Sequence, residues 1–329
     1  MKKNVTISDV AKQAEVSKTT ISRYLNGHFG NMSSETKDRI EQVISELNYR
    51  PNRQAQALKS KRSFLIGVIV SDISNMYSSL LLKGIGEVLG EAGYQMIIMD
   101  AANSIEKEQD LLHKLIDQSV EGIILQPSLR EASHYQFIKD ENIPLLLVDR
   151  GIEPLIFPLV TTDNETATKK MIKQILDKQY ERVVVVSEPL ADIVTREIRY
   201  HSIKEVVETK NCLLNLVEVT KETNLNHEIE KCLKYHEKTA IFASNGKMLM
   251  EILTILITEK IELPDEIGIT GFDDWNLSAL VGPGITSIEQ QTQAIGNVSG
   301  TQMLSYLEDE TKENETKIVS AIIRTRNSI

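Results

Sequence analysis

The sequence predicts an α/β protein: a small all-α head followed by a body of two doubly wound parallel-sheet subdomains. Three observations carry this. The chain has 329 residues, more than one core of ordinary size accommodates. Residues 1–62 show short helical periodicities and no strand run. From Phe64 onward, apolar runs of strand length alternate with amphipathic helical stretches, and the alternation restarts after Thr162. Such repetition builds parallel sheets with helices on both faces.

Charge marks the same boundary. Lys and Arg number 37 against 47 Asp and Glu, net −10. Residues 1–62 hold 12 basic and 6 acidic residues, net +6, so residues 63–329 hold 25 and 41, net −16. A basic head on an acidic body is a signal that the net figure hides. No apolar run approaches the ~18–20 residues that span a bilayer, and Met1–Thr6 opens no signal-peptide apolar region. Only Cys212 and Cys232 occur; a reducing, cytoplasmic setting without a disulfide framework is expected.

In the head, Thr6-Ile7-Ser8-Asp9 has the capping-box pattern, and Val10, Ala11 and Ala14 give a first apolar face. Ser17 is the next N-cap, ahead of Lys18–Leu25. Ile21 and Leu25 turn inward, which leaves Lys18, Thr19, Ser22 and Arg23 outward; Gly27 supplies a left-handed stop. A third helix from about Ser33 carries Ile40, Val43, Ile44 and Leu47 at helical spacing. Two short helices joined by a tight turn, with a supporting third, describe a helix-turn-helix unit whose second helix enters the major groove. A plain three-helix bundle with a solvated polar face fits the periodicity too. Tyr49–Arg62 is basic and poor in core residues. It reads as a linker, or as a hinge that orders on DNA with Leu58 as a minor-groove wedge.

In the body, Leu65–Val70, Met96–Met99, Gly122–Leu125 and Leu145–Val148 are the first strand candidates. Val183–Val186, Leu216–Val219, Ala240–Ala243 and Ile267–Thr270 are the second set. Ligands of open α/β sheets bind at the carboxyl ends of strands. Those ends carry Ser71, Asp72, Tyr77 and Ser78; Asp149 and Arg150; Arg196 and Arg199; Ser244 and Asn245; and Asp273 and Asp274. Carboxylates and amides suit hydroxyls, the ring suits a sugar face, and arginines suit a carboxylate or phosphate. Taken singly, each could equally be a solvated loop residue or a cap.

The chain resembles the lactose/galactose-repressor family of bacterial transcription regulators. The likeness rests on Thr6–Ala11, Val16-Ser17, Thr20–Arg23, Leu25-Asn26 and Leu47–Asn52 in the head. In the body it rests on Leu263–Asp274, Thr286–Gln290 and Arg326–Ser328. The resemblance implies a periplasmic-binding-protein-like body and a helix-turn-helix head. By that likeness Lys18, Thr19 and Arg23 read bases. Thr6, Ser17, Thr20, Ser22, Asn26 and Asn52 contact the DNA backbone, and Ala55 and Leu58 enter the minor groove. Asp72, Tyr77, Ser78, Arg150, Arg196, Arg199, Asn245, Asp273 and Gln290 line an effector site. Four departures stand out: Glu15 and Gly246 replace a usual Gly and a usual Asp, Ser78 replaces an aromatic, and loop Gly27–Met32 is one residue longer than in the shortest members.

The division expected is 1–48 for the head and 49–62 for the hinge. Residues 63–162 with about 291–319 form one subdomain, and 163–290 with about 320–329 the other. The partners implied are double-stranded operator DNA, a second copy of the chain, and a sugar or sugar acid, with no membrane. Loop Ser187–Arg196 is similar to regulators of keto-deoxy sugar acid and gluconate metabolism. An enzyme is disfavoured: there is no GxSxG and no P-loop, and Gly84-Ile85-Gly86 sits within a helix. No cofactor or metal is expected, since Cys212, His227, Cys232 and His236 fit no zinc spacing. A solute-binding protein would lack the basic head and carry a signal peptide. A regulator controlled by a corepressor protein is the remaining alternative.

Overall fold

The structure, a computed structural model, describes residues 5–30, 32–50, 62–309 and 314–329. The chain divides into two compact units, Met1–Ser63 and Phe64–Ile329.

Three helices form the first unit: α1 (Ile7–Gln13), α2 (Lys18–Leu25) and α3 (Ser34–Glu46). Each begins where the sequence offers a capping side chain. Asp9 accepts from the Thr6 backbone N–H at 2.8 Å, Ser17 accepts from Thr20 N–H at 3.1 Å, and Ser33 accepts from Thr36 N–H at 3.2 Å. Gly27, at φ +72°, ends α2, and the His28 N–H reaches back to the Arg23 carbonyl. Glu15 performs the same turn after α1 at φ +52°, and Val16 N–H bonds the Ala11 carbonyl. This explains why glycine is usual there: only glycine enters the left-handed region without a Cβ penalty. Val10, Ala11, Ala14, Ile21, Ile40 and Val43 close the core.

The second unit holds two six-stranded sheets. The first contains β1 (Leu65–Val70), β2 (Gln95–Asp100), β3 (Gly122–Leu125), β4 (Leu145–Val148), β5 (Leu159–Thr162) and β11 (Thr316–Val319), in the order β11-β5-β4-β3-β1-β2. The second contains β6 (Arg182–Ser187), β7 (Leu213–Glu218), β8 (Thr239–Ala243), β9 (Gly268–Phe272), β10 (Thr286–Glu289) and β12 (Ile322–Arg324), in the order β12-β10-β9-β8-β6-β7. All pairings within these sheets are parallel except β10 with β12. Of the segments that carry the family likeness, Arg326–Ser328 lies just past β12, and the Ser328 carbonyl accepts from Ile269 N–H of β9 at 2.9 Å. Thr286–Gln290 is β10 followed by Gln290.

Helices cover both faces of each sheet, which is why the strands read as continuous apolar runs. On the first sheet, α4 (Met76–Glu91) and α11 (Thr292–Glu308) cover one face through Leu81, Ile85, Ile295 and Met303. Leu112 and Leu115 of α5 (Ile105–Asp117) and Ile138 of α6 (Gln136–Asp140) cover the other. On the second sheet, Val183 and Val185 of β6 face α7 (Asn164–Asp177) and α8 (Val194–Glu208). Val184 and Val186 face α9 (Leu225–Leu233) and α10 (Gly246–Thr258). Gly84 lets α11 approach α4: a Cβ there would lie 2.1 Å from the Gln293 carbonyl oxygen. That is a packing role, consistent with its place inside a helix.

Candidate functional site

The head presents one polar surface. Lys18, Thr19 and Arg23 are exposed on α2. Ser17 and Thr20 hydroxyls lie 2.9 Å apart at its start, and Asn26 Nδ2 donates to the Ser22 carbonyl at 2.8 Å at its end. Thr6 Oγ1 donates to Asp9 at 2.7 Å. Of the six polar residues expected on the DNA backbone, Thr6, Ser17 and Asn26 thus stand at helix ends, and Thr20 and Ser22 lie within α2 beside them. A concavity beside α2 adds His28, Ser33 and Thr36 to Thr20 and Arg23. Sequence reasoning passed over those three because they sit on the longer loop and the start of α3. Asn52, Ala55 and Leu58 lie outside the described residues.

In the body, the carboxyl ends of both sets of strands face a cleft. Arg199 of α8 is its centre. The guanidinium is buried, donates to Asn164 Oδ1 at 2.8 Å and to the Ser244 carbonyl at 2.6 Å, and lies 3.6 Å over the Phe272 ring. Burial lowers its pKa, against the pull of the Asp273 and Asp149 carboxylates. Asp273 accepts from Gly246 N–H at 2.9 Å and from Gln290 Nε2 at 2.7 Å. Gln290 Oε1 in turn accepts from the Thr162 hydroxyl at 2.8 Å, so the Asp273 carboxylate is fixed to a point where the chain crosses between sheets. Burial raises the Asp273 carboxyl even beside Arg199. Tyr77 of α4 faces this group from the first sheet; burial, then Asp149 and Asp273, push its phenol well up.

Asp149 follows β4 and accepts from Gln126 Nε2 at 2.7 Å, while Gln126 Oε1 accepts from Ser71 Oγ at 2.9 Å. Arg150 lies 3.7 Å from Asp149. Nearer the mouth, Arg196 pairs with Glu188 at 3.0 Å and Asn245 Nδ2 donates to Glu188 at 2.6 Å. Arg150, Glu188 and Arg196 border a cavity of about 810 Å³. Arg130 spans its rim, bonding Glu153 at 2.7 Å and Glu197 of α8 at 2.6 Å. Ser187 Oγ, Ser244 Oγ and Trp275 Nε1 at these strand ends are buried without a hydrogen-bond partner among the described residues, which leaves them able to bond a polar ligand or water.

The structure therefore gathers Tyr77, Arg199, Asp273 and Gln290 into one group, with Arg150, Arg196 and Asn245 at its mouth. Asp72 and Ser78 do other work. Asp72 accepts from Ser74 N–H at 2.9 Å and Ser74 Oγ at 2.6 Å, and Ser78 Oγ donates to the Asp72 carbonyl at 2.6 Å. Both shape the turn that leads into α4. Asp274 points away from Asp273, toward Ser287 and Arg326, so the two adjacent carboxylates do not face a common point. Gln126, Asn164, Glu188 and Trp275 were missed. All four follow strand ends, of β3, β5, β6 and β9, and were open to the same reasoning by position, but Gln126 and Asn164 act through partners that only the fold brings near. Gly246 is explained by Trp275: a Cβ there would lie 2.1 Å from the indole Cη2.

Known proteins agree with this architecture. The model of bacterial regulatory proteins of the lacI family matches residues 6–52, and that of the periplasmic binding protein domain matches residues 66–312. The chain is 35% identical to the HTH-type transcriptional regulator KdgR of Bacillus subtilis (strain 168), over 99% of this chain and 98% of the relative. It is 32% identical to the HTH-type transcriptional regulator PtxS of Pseudomonas plecoglossicida, over 92% and 89%. The lac repressor dimer bound to operator and the anti-inducer ONPF has the same fold, with a TM-score of 0.86 at 21% identity over 99% of both chains. No helix among the described residues is long and apolar enough to cross a membrane. The chain belongs to the lacI family of bacterial regulatory proteins, DNA-binding transcriptional regulators that carry a periplasmic-binding-protein domain behind a helix-turn-helix head.

Proposed function

We propose that this regulator is a cytoplasmic, non-enzymatic repressor of carbohydrate-metabolism genes, switched by a sugar acid held in the body's cleft. Lys18, Thr19 and Arg23 read base edges, with Arg23 suited to guanine O6/N7. Thr6, Ser17, Thr20, Ser22, Asn26 and Asn52 position the head on phosphates, and Ala55 and Leu58 enter the minor groove. Two copies on a pseudo-palindromic operator supply the affinity that a single head lacks. Residues 63–162 with 291–319, and 163–290 with 320–329, are the two subdomains that close on effector. The effector acts by differential affinity for two arrangements of those subdomains.

One observation carries the choice of an acid: three arginines, Arg150, Arg196 and Arg199, stand at one cleft with Asp273, Gln290 and Asn245 placed for hydroxyls. Guanidinium forks match carboxylate geometry. The relatives KdgR and PtxS are both named as HTH-type transcriptional regulators, and loop Ser187–Arg196 is similar to regulators of keto-deoxy sugar acid and gluconate metabolism. Calorimetry with 2-keto-3-deoxy-D-gluconate, D-gluconate and neutral hexoses is the test. Tight binding of an acid supports the reading, and tight binding of a neutral sugar alone overturns it.

A further inference from the structure

Glu188 sits where an anionic ligand would be expected to sit. It follows β6 at the mouth of the cleft, and its side chain is 18% exposed. Its carboxylate accepts from Asn245 Nδ2 at 2.6 Å, pairs with Arg196 at 3.0 Å and lies 3.6 Å from Lys247 Nζ. Arg150 approaches from the first sheet's side of the same cavity. Burial alone would raise this carboxyl, yet Arg196, the Asn245 amide, Lys247 and Arg150 together hold it below the ordinary glutamate value.

One guanidinium, one ammonium and an amide N–H around one carboxylate, with the Arg150 guanidinium on the same cavity, form an anion site built from protein alone. A guanidinium whose side chain is as buried as that of Arg196, 14% exposed, is costly to leave without a counter-charge. Glu188 supplies that charge from a side chain with three rotatable bonds, attached to a loop rather than to the sheet. An entering carboxylate meets the same donors, and it also meets the negative charge of Glu188. On the edge of Arg196 that Glu188 occupies the two anions compete, and two carboxylates brought side by side repel each other.

We propose that Glu188 is a resident carboxylate that an acidic effector displaces from Arg196, Lys247 and Asn245. The inference rests on the acidic-effector reading of this cleft and deepens it. The built-in anion lowers the positive charge of the mouth, sets a threshold for the incoming acid, and discriminates against small inorganic anions that bring no hydroxyls to Asp273 and Gln290. Asn245 connects the exchange to the fold. Its Nδ2 holds Glu188 while its Oδ1 accepts from Met248 N–H at 3.0 Å and caps α10. Departure of Glu188 therefore frees a donor at the start of that helix for the ligand.

The test is calorimetric titration of the full-length wild type, Glu188→Gln and Glu188→Ala. The ligands are 2-keto-3-deoxy-D-gluconate, D-gluconate and D-glucitol, which has a hydroxymethyl group where gluconate has its carboxylate. With the resident charge removed, affinity for the acids is expected to rise by about ten-fold, since one like-charge contact is lost and Arg196 is released. Affinity for glucitol should change by less than about two-fold. A merely structural role for Glu188 would move acid and alditol together. If the wild type binds an acid and both variants bind it equally or more weakly, displacement is overturned while the acidic effector stands. If the wild type binds only a neutral ligand but the variants gain gluconate binding, the resident anion is supported and the acidic effector falls. If no protein binds any acid, the anion site itself is refuted.

Discussion

Gly246→Ala tests whether the cleft is built around Trp275. Gly246 is the first residue of α10 and lies under the indole. An alanine Cβ would stand 2.1 Å from Cη2, 2.6 Å from Cζ2 and 2.7 Å from Cζ3, where ordinary contact begins at 3.4 Å. The ring cannot easily retreat, because Trp275 packs against the cluster of Ile66, Val68, Tyr77 and Leu81 on the first sheet. Overpacking of this kind costs about 1–3 kcal/mol. Opposing it, alanine is favoured over glycine in a helix by up to about 1 kcal/mol, less in the first turn. The net expectation is destabilisation in the wild-type background and stabilisation in a Trp275→Ala background, where the overlap is gone. Denaturant unfolding followed by circular dichroism on the four proteins of the cycle measures it. Trp275 is the only tryptophan, so the emission of Gly246→Ala separately reports whether the ring has left its seat. A Gly246→Ala protein as stable as wild type with an unchanged spectrum, or a coupling below about 0.5 kcal/mol, would refute the reasoning.

Three further outcomes are expected. Glu15→Gly should stabilise the head by about 0.5–1 kcal/mol, because an exposed residue at φ +52° gains by losing its Cβ; a lower melting temperature of the head contradicts this. Arg23→Ala should cost about 1–3 kcal/mol of operator binding and relax preference at one base position; a uniform loss over all sequences would assign Arg23 to phosphate instead. Cys232 is buried and its thiol is pushed up to about 11, chiefly by burial and then by Glu228. A thiol reagent at pH 8 should therefore label Cys212 first, and equal rates in the native protein would count against that environment.

Legibility in the sequence followed the range of the interaction. The head was readable because its determinants are local: Ser17 and Ser33 cap helices three residues ahead, and Ile40 and Val43 bury at helical spacing. Strands buried on both faces, such as Val183–Val186, announced themselves as continuous apolar runs. Strands β11 and β12 did not. They are three or four residues long, at sheet edges, with Ile318 63% and Ile322 39% exposed, so neither burial nor length distinguished them from a loop. In the cleft, residues at strand ends were legible as a set. Asp72 shows the limit of that rule: a strand-end carboxylate is equally suited to close its own turn, and here it accepts from Ser74, two residues on. The role of Asn164 was invisible, since its partner Arg199 lies 35 residues on.

The cleft is also where the fold departs from its own preferences. Asp149, Asp273, Trp275 and Asn276 all take positive φ, at 65°, 70°, 45° and 61°, and all follow strands that end at the cleft. Each left-handed non-glycine residue costs about 1 kcal/mol or more. Around them, Arg199 is removed from water against carboxylates whose own burial raises at least one of them. An apolar substitution of the whole set would be more stable, since buried ion pairs seldom recover their desolvation. The energy stored in these strand ends has a use only if something else completes the group. On the proposed reading, a polyhydroxyl acid bonded to Asp273, Gln290 and Arg199 from one side and Arg150 from the other would give back part of that cost on closure. It does so only when both subdomains supply their residues. On that reading the differential affinity that switching requires resides in the strain and the buried Arg199 charge of these strand ends, and a cleft relaxed to ordinary geometry would hold the ligand without distinguishing the two states.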